Sequence, residues 1–367
     1  MISGWWRGEA ERVPKESLCI IIPKIYGEKT IAFAGKLAII DRKLEIQSDA
    51  NHVYVPITRK PSAEELAGIQ GQVPDYTLKL QVFPEKKKQS KTTMEILEGQ
   101  LPPHLMASLP KALDIVGDIA IVEVPPELES HRSLLGEAIL EAHKNVRTVL
   151  AKASAVGGEY RLRDFEVIAG EHRTITVHKE FGCTYQVDVA KAYFSPRLSH
   201  EHKRVSSLVQ AGETVVDLFA GVGPFSVLIA KNREVRVYAV DLNPDAVELL
   251  KTNVRLNRVE NRVLPILGDA SLIVEEKLKG TADRVIMNLP EKAIEFVNVA
   301  CKALKPKGGV VHFYGFVHEP DSPDALKTRF AETVANSGRR VQEFLLAKTV
   351  RETAPYECQV VLDAKII

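Results

Sequence analysis

Apolar positions near the start of the chain come in short runs rich in β-branched residues, separated by polar turns. Residues 17–22 (Ser-Leu-Cys-Ile-Ile-Ile) and 53–57 (Val-Tyr-Val-Pro-Ile) read as strands. Between them, Gly27 to Gly35 leads into a second apolar stretch, Leu37 to Ile40. Ser62 with Glu65 three residues later is a capping box and predicts a helix start. This mixture predicts a small α+β module over residues 1–85. Residues 86–100 open on a lysine-rich segment without periodicity and read as a linker, its lysines solvated.

A second pattern runs from 101 to 204. Residues 115–124 read as a turn into a strand, 133–143 have helical spacing, and 145–151 predict a further strand. Residues 173–178 and 185–189 alternate about Glu180-Phe181-Gly182, a hairpin signal. From about 205 the character changes. Apolar strands at 214–219, 235–240, 284–288 and 310–314 alternate with helical stretches such as 245–256 and 291–304. Strands and helices of that length in alternation predict a doubly wound parallel sheet over 205–367. The fold class is therefore α/β, a Rossmann-like domain preceded by two smaller α+β domains.

Composition narrows the setting. The 367 residues are 45% hydrophobic and 26% charged, which excludes wholesale disorder and a fibrous chain. No apolar run is long enough for a membrane span, and charge interrupts the first residues too early for a signal peptide. Cys19, Cys183, Cys301 and Cys358 lie far apart, without a metal-binding spacing. No metal site is expected, and the compartment reads as cytoplasmic. Lys+Arg total 49 against 48 Asp+Glu, so net charge neither demands nor excludes nucleic acid.

The candidate chemistry sits at the strand ends. Asp217 opens the run Asp-Leu-Phe-Ala-Gly-Val-Gly-Pro-Phe, which holds Phe219, Gly221 and Gly223. Asp241-Leu242 ends the next strand, Asp269-Ala270 follows a third segment (263–267), and Asn288-Leu289-Pro290 ends a fourth. In a doubly wound sheet these positions share one rim, where ligands bind. The two glycines let backbone pass close beneath a ligand, and Pro224 suits a helix start. Asp217 suits a cation, Asp241 a ribose diol and Asp269 an exocyclic adenine amine. S-adenosylmethionine answers all three. Helix capping alone is the competing account of each acid. A dinucleotide oxidoreductase is disfavoured because Ser226 stands where its third glycine would be.

The glycine run resembles motif I of class I methyltransferases, and more closely that of the archaeal and eukaryotic tRNA (guanine-N1)-methyltransferases acting at position 37. Tyr160-Arg161-Leu162-Arg163, residues 170–174, Tyr193-Phe194-Ser195-Pro196-Arg197-Leu198 and Asn288-Leu289-Pro290 carry the same resemblance. It implies S-adenosylmethionine as cofactor and tRNA as partner. Glu201 would be the general base at guanine N1, Arg161 would stabilise charge on O6, and Asn288 would position the base. Tyr193, His202, Asp217, Phe219, Gly221, Gly223, Asp241, Leu242, Asp269, Ala270 and Asn288 would form the cofactor site. The chemistry agrees, because N1 carries a proton at neutral pH and must lose it before attack. Glu291 departs from the lysine that many members carry after the proline. The resemblance further implies that the N-terminal module grips the outer corner of tRNA while the rest takes the anticodon stem-loop, and the chain is read as a monomeric or loosely associated three-domain enzyme. Trp5 and Trp6 match nothing identified and read as docked on the protein body. Two alternatives stay open: a wyosine-pathway enzyme transferring an aminocarboxypropyl group or methylating the tricyclic base, and a non-catalytic tRNA-binding protein.

Overall fold

The computed structural model describes residues 14–367 apart from 72, 74, 87–90, 155, 156, 159 and 319. Trp5, Trp6 and most of the lysine run lie outside the described residues. The chain divides into two compact units, Met1–Ser90 and Lys91–Ile367.

In the first unit four strands form an antiparallel sheet in the order β2-β3-β1-β4: β1 (Lys15–Pro23), β2 (Gln47–Ser48), β3 (His52–Ile57) and β4 (Thr77–Phe83). Two helices, α1 (Gly27–Lys36) and α2 (Ala63–Gln70), complete it. Ile20, Ile22, Val53 and Val55 are buried with Ala34 and Ile69 in one core. The capping box forms as expected: Ser62 Oγ accepts from Glu65 N–H, and Glu65 Oε2 accepts from Ser62 N–H.

The second unit opens with α3 (Thr93–Leu97) inside the stretch read as a linker; Ile96 and Leu97 are buried in its core. A short α4 (Pro103–Met106) follows. The hairpin β5 (Leu113–Val116) and β6 (Ile119–Val122), then α5 (Arg132–Ala142), β7 (Thr148–Lys152) and β8 (Phe165–Gly170), make a four-stranded sheet in sequence order. Residues 119–122 are buried on both faces. Ala120 and Val122 face α5, and Ile119 and Ile121 face the core of the larger sheet. That explains a continuous apolar run rather than an alternating one.

The predicted hairpin is β9 (Ile175–Glu180) and β10 (Cys183–Asp188). Phe181 and Gly182 both have positive φ, the conformation of a two-residue hairpin turn. Helix α6 (Ser199–Leu208) comes next, and the domain break expected at 204/205 falls inside it. The remaining elements are β11 (Thr214–Asp217), α7 (Pro224–Asn232), β12 (Arg236–Asp241), α8 (Pro244–Leu256), β13 (Val263–Leu267), α9 (Ala270–Ile273) and β14 (Arg284–Met287). They continue through α10 (Val297–Ala303), β15 (Gly309–His318), α11 (Pro323–Asn336), β16 (Val341–Ala354) and β17 (Glu357–Ile366). The seven-stranded sheet has the order β13-β12-β11-β14-β15-β17-β16. Five strands are parallel as expected, while β17 runs antiparallel to both its neighbours. A two-residue link (Pro355, Tyr356) lets β16 and β17 pair as a hairpin, which the parallel reading did not include.

Hairpin β9–β10 is bonded to α8 and its C-terminal cap by two buried asparagines. Asn253 accepts from Gln186 N–H at 2.7 Å and donates to its carbonyl, and Asn257 does the same for Thr184. The asparagine amides thus stand in for a neighbouring strand along β10.

Candidate active site

Two adjoining cavities lie beyond the carboxyl ends of the parallel strands, where the strand order reverses about β11. The first is about 210 Å³. Phe219 and Gly221 after β11, Asp241 and Leu242 at the end of β12, Asp269 and Ala270 after β13, and Asn288 after β14 all line it. Tyr193 and His202 close it from the segment before β11.

The chain shapes this cavity from the backbone outward. Gly221 takes φ +55° and donates its N–H to Asp241 Oδ2 at 2.6 Å, so glycine turn and second strand end are held together. Gly223, with φ +92°, caps α7, and a Cβ there would stand 2.4 Å from Leu250. Asp241 also accepts from Asn243 N–H. Burial pushes its carboxyl up against those bonds. Asp269 does cap a helix, since its Oδ1 accepts from Ser271 and Leu272 N–H, yet its side of the turn also lines the cavity. Asn288 Oδ1 is buried without a hydrogen-bond partner. An orphaned acceptor in the wall marks a place for a ligand donor.

Asp217 sits differently from expectation. It is 1% exposed, lies outside the cavity wall, and accepts from Ser226 Oγ at 2.8 Å. Ser226 therefore fills its own role beneath the glycine turn. Burial pushes the Asp217 carboxyl up to about 7. On the far wall, His202 Nδ1 lies 2.7 Å from Glu180 Oε1, and its ring meets Phe225 edge-on. Burial would raise Glu180, but His178 and His202 outweigh it and hold the carboxyl at about 2.

The second cavity, about 670 Å³, shares Arg161, Tyr193, Phe194 and Ser195 with the first. Its wall mixes cations (Lys152, Arg163, Arg197, Arg329 and Arg351) with carboxylates (Asp114, Glu291, Asp321, Glu352 and Glu357), and Arg197 pairs with Asp114 and Arg329 with Asp321. The Arg161 guanidinium stands 5.1 Å over the Tyr193 ring, and its Nη2 is 3.1 Å from Glu291 Oε1. Arg161 also takes φ +55°, a conformation that costs a non-glycine residue energy and gathers at functional sites. Its Nε and Nη1 are buried without partners, as is Arg163 Nε. Arg351, from β16, donates to Ser195 Oγ at 2.9 Å.

Glu201 lines neither cavity. Its Oε2 accepts from Arg204 (2.8 Å) and the Tyr314 hydroxyl (3.0 Å), and Lys348 is 3.0 Å from Oε1. Burial would raise it, but Arg204 and Lys348 hold it below the usual range. Arg204 is anchored in turn by Asp363, which pairs with His312. The structure therefore brings together Arg161, Asn288, Tyr193, His202, Phe219, Gly221, Asp241, Leu242, Asp269 and Ala270, and leaves Asp217, Gly223 and Glu201 behind the walls. Sequence reasoning missed Glu180, Arg351 and Tyr314, whose only signal is polarity within strands. Among the described residues no cluster of His, Cys, Asp or Glu could hold a metal ion.

Residues 176–342 match the TRM5/TYW2 methyltransferase domain, 93–174 the TYW2 N-terminal domain and 19–65 the tRNA methyltransferase 5 N-terminal domain. The tRNA (guanine(37)-N(1))-methyltransferase Trm5b of Pyrococcus abyssi is 37% identical over 95% of this chain and 99% of its own. The chain belongs to the TRM5/TYW2 methyltransferase family. The crystal structure of P. abyssi Trm5b superposes with a TM-score of 0.71 at the same coverage. A complex of aTrm5 with tRNALeu gives 0.67 at 33% identity, covering 95% of this chain and all of that one. An aminocarboxypropyltransferase of Pyrococcus horikoshii acting on 4-demethylwyosine 37 of tRNA(Phe) is 33% identical over 74% of this chain and 95% of its own. S-adenosylmethionine is the cofactor of this TRM5/TYW2 enzyme, and the first cavity suits it: carboxylates at two strand ends, a glycine turn and an unfilled amide acceptor.

Proposed function

We propose that the protein transfers a methyl group from S-adenosylmethionine to N1 of guanosine 37 in tRNA. The observation that carries this is Arg161, which walls both cavities and keeps two buried donors unpartnered. In this reading Tyr193, His202, Phe219, Gly221, Asp241, Leu242, Asp269, Ala270 and Asn288 hold the cofactor, and Asp217 with Gly223 supports the turn from beneath. When bound, S-adenosylmethionine supplies an electrophilic methyl. Arg161 donates to guanine O6 and stabilises the negative charge left there once N1 is deprotonated. Asn288 presents its free Oδ1 to orient the ligands. Glu201 is assigned the N1 proton. Arg204 and Lys348 keep it ionised, the state a base requires, and half-exposed Lys348 must give way when tRNA binds. Unit 1 is read as the grip on the outer corner of tRNA, and the larger cavity, with Arg161, Arg163 and Arg351 in its wall, as the seat of the anticodon loop. The protein is read as a monomer. Four free thiols fit the cytoplasmic setting.

The match of residues 19–65 to a tRNA methyltransferase 5 module and the fuller coverage by Trm5b favour methylation over aminocarboxypropyl transfer. Incubation of unmodified tRNA with labelled-methyl S-adenosylmethionine, then nucleoside mass spectrometry, tests it. Labelled 1-methylguanosine, abolished by replacing G37, is expected. No label, or label in a different nucleoside, would overturn the reading. Glu201→Gln should keep cofactor affinity and lower turnover by about 10²-fold or more; full turnover would remove Glu201 as base.

A further inference from the structure

Glu180 is a buried carboxylate behind the first cavity, and the reaction proposed above gives it no task. It ends β9, just before the turn at Phe181 and Gly182, and its side chain is buried together with that of His202. His202 Nδ1 lies 2.7 Å from Glu180 Oε1. On the other side, His178 Nε2 is 3.6 Å from Oε2, and His178 Nδ1 accepts from Gly117 N–H at 3.2 Å. Burial is outweighed by His178 and His202, which hold the Glu180 carboxyl at about 2, so it is ionised and can only accept. His202 Nδ1 is therefore the donor, which leaves Nε2 for the cavity that the ring lines.

The order of strand ends says which part of the cofactor meets that nitrogen. Asp269 after β13 suits the adenine amine and Asp241 after β12 the ribose diol, so the amino-acid end falls toward β11. His202 stands on that side, its ring 4.6 Å from the ring of Phe225 in the first turn of α7. We propose that Glu180 is a positioning residue for cofactor binding, holding the His202 ring so that Nε2 meets the amino-acid end of S-adenosylmethionine. This rests on the placing of His202 in the cofactor site. The amino-acid end carries both an ammonium and a carboxylate, so Nε2 finds a partner there with or without a proton of its own. Glu180 lines neither cavity and acts only through the imidazole, as carboxylates behind metal-bound histidines do.

The test is calorimetric binding of three ligands to the full chain: S-adenosylmethionine, S-adenosylhomocysteine and methylthioadenosine, the last lacking the amino-acid end. Glu180→Ala should weaken the first two on the order of tenfold and leave methylthioadenosine nearly unchanged. Unchanged binding of methylthioadenosine also reports an intact fold. Glu180→Gln should keep part of the lost affinity, because its amide oxygen still accepts from Nδ1. In a His202→Ala background, adding Glu180→Ala should cost nothing more, since the ring through which it acts is gone. No loss in Glu180→Ala, equal losses on all three ligands, or a further loss in the His202→Ala background would each overturn the proposal. If His202→Ala alone leaves all three affinities unchanged, the placing of His202 in the cofactor site falls as well, so the two failures are distinct.

Discussion

At the scale of single residues, the acids of the rim do unlike work despite their like spacing. Asp241 and Asp269 face the cavity, whereas Asp217 is sealed beneath it with one oxygen on Ser226 and the other unpaired. A carboxyl raised from 3.8 to about 7 by burial favours folding when protonated. Its contribution is complete below about pH 4 and is lost as pH rises to about 7, worth about 4 kcal/mol in full. Asp217→Asn should abolish that titration. Thermal melts of variant and wild type from pH 4 to 8 should show the variant gaining relative stability with pH. A pH-independent difference would mean that the carboxyl is ionised throughout. Asp217 was visible in the sequence as a strand-end acid, but its depth was not. Spacing along the chain places a residue at a strand end without saying whether the side chain points over the rim or under it. Glu201 teaches the same. Its helix position is plain in the run His200-Glu201-His202, yet the partners that turn it inward, Tyr314, Lys348 and Arg204, come from two strands more than a hundred residues away and from its own helix.

At the scale of elements, the parallel strands and their helices were legible because each carries its own period and caps. The hairpin β16–β17 was not, because its 14-residue strand breaks register four times and so never alternates cleanly. The union of β10 with α8 was hidden for another reason. Asn253 looks like an ordinary polar helix residue until Gln186, distant in sequence, lies beside it. Its amide satisfies both backbone groups of Gln186 and the Val222 carbonyl. Asn253→Ala should therefore cost about 2–4 kcal/mol by leaving buried polar groups unpaired. Denaturant unfolding would check this, and a loss below about 0.5 kcal/mol would mean that water takes over those bonds.

At the scale of the whole molecule, every residue lining either cavity lies between 114 and 357, inside the second unit. A chain of residues 91–367 should bind S-adenosylmethionine with the affinity of the full protein in calorimetry, while its grip on tRNA weakens. Lost cofactor affinity would show that the first unit contributes to the cavity. The order of strands carries one more consequence. Strand β17 lies between β15 and β16 and brings Asp363 to Arg204, and through it to Glu201. Residues 309–318 wait for 357–366 before their edge is covered. During synthesis, then, the sheet stays unfinished until translation has passed residue 366, and until that point the nascent chain presents an open strand edge for chaperones to shield.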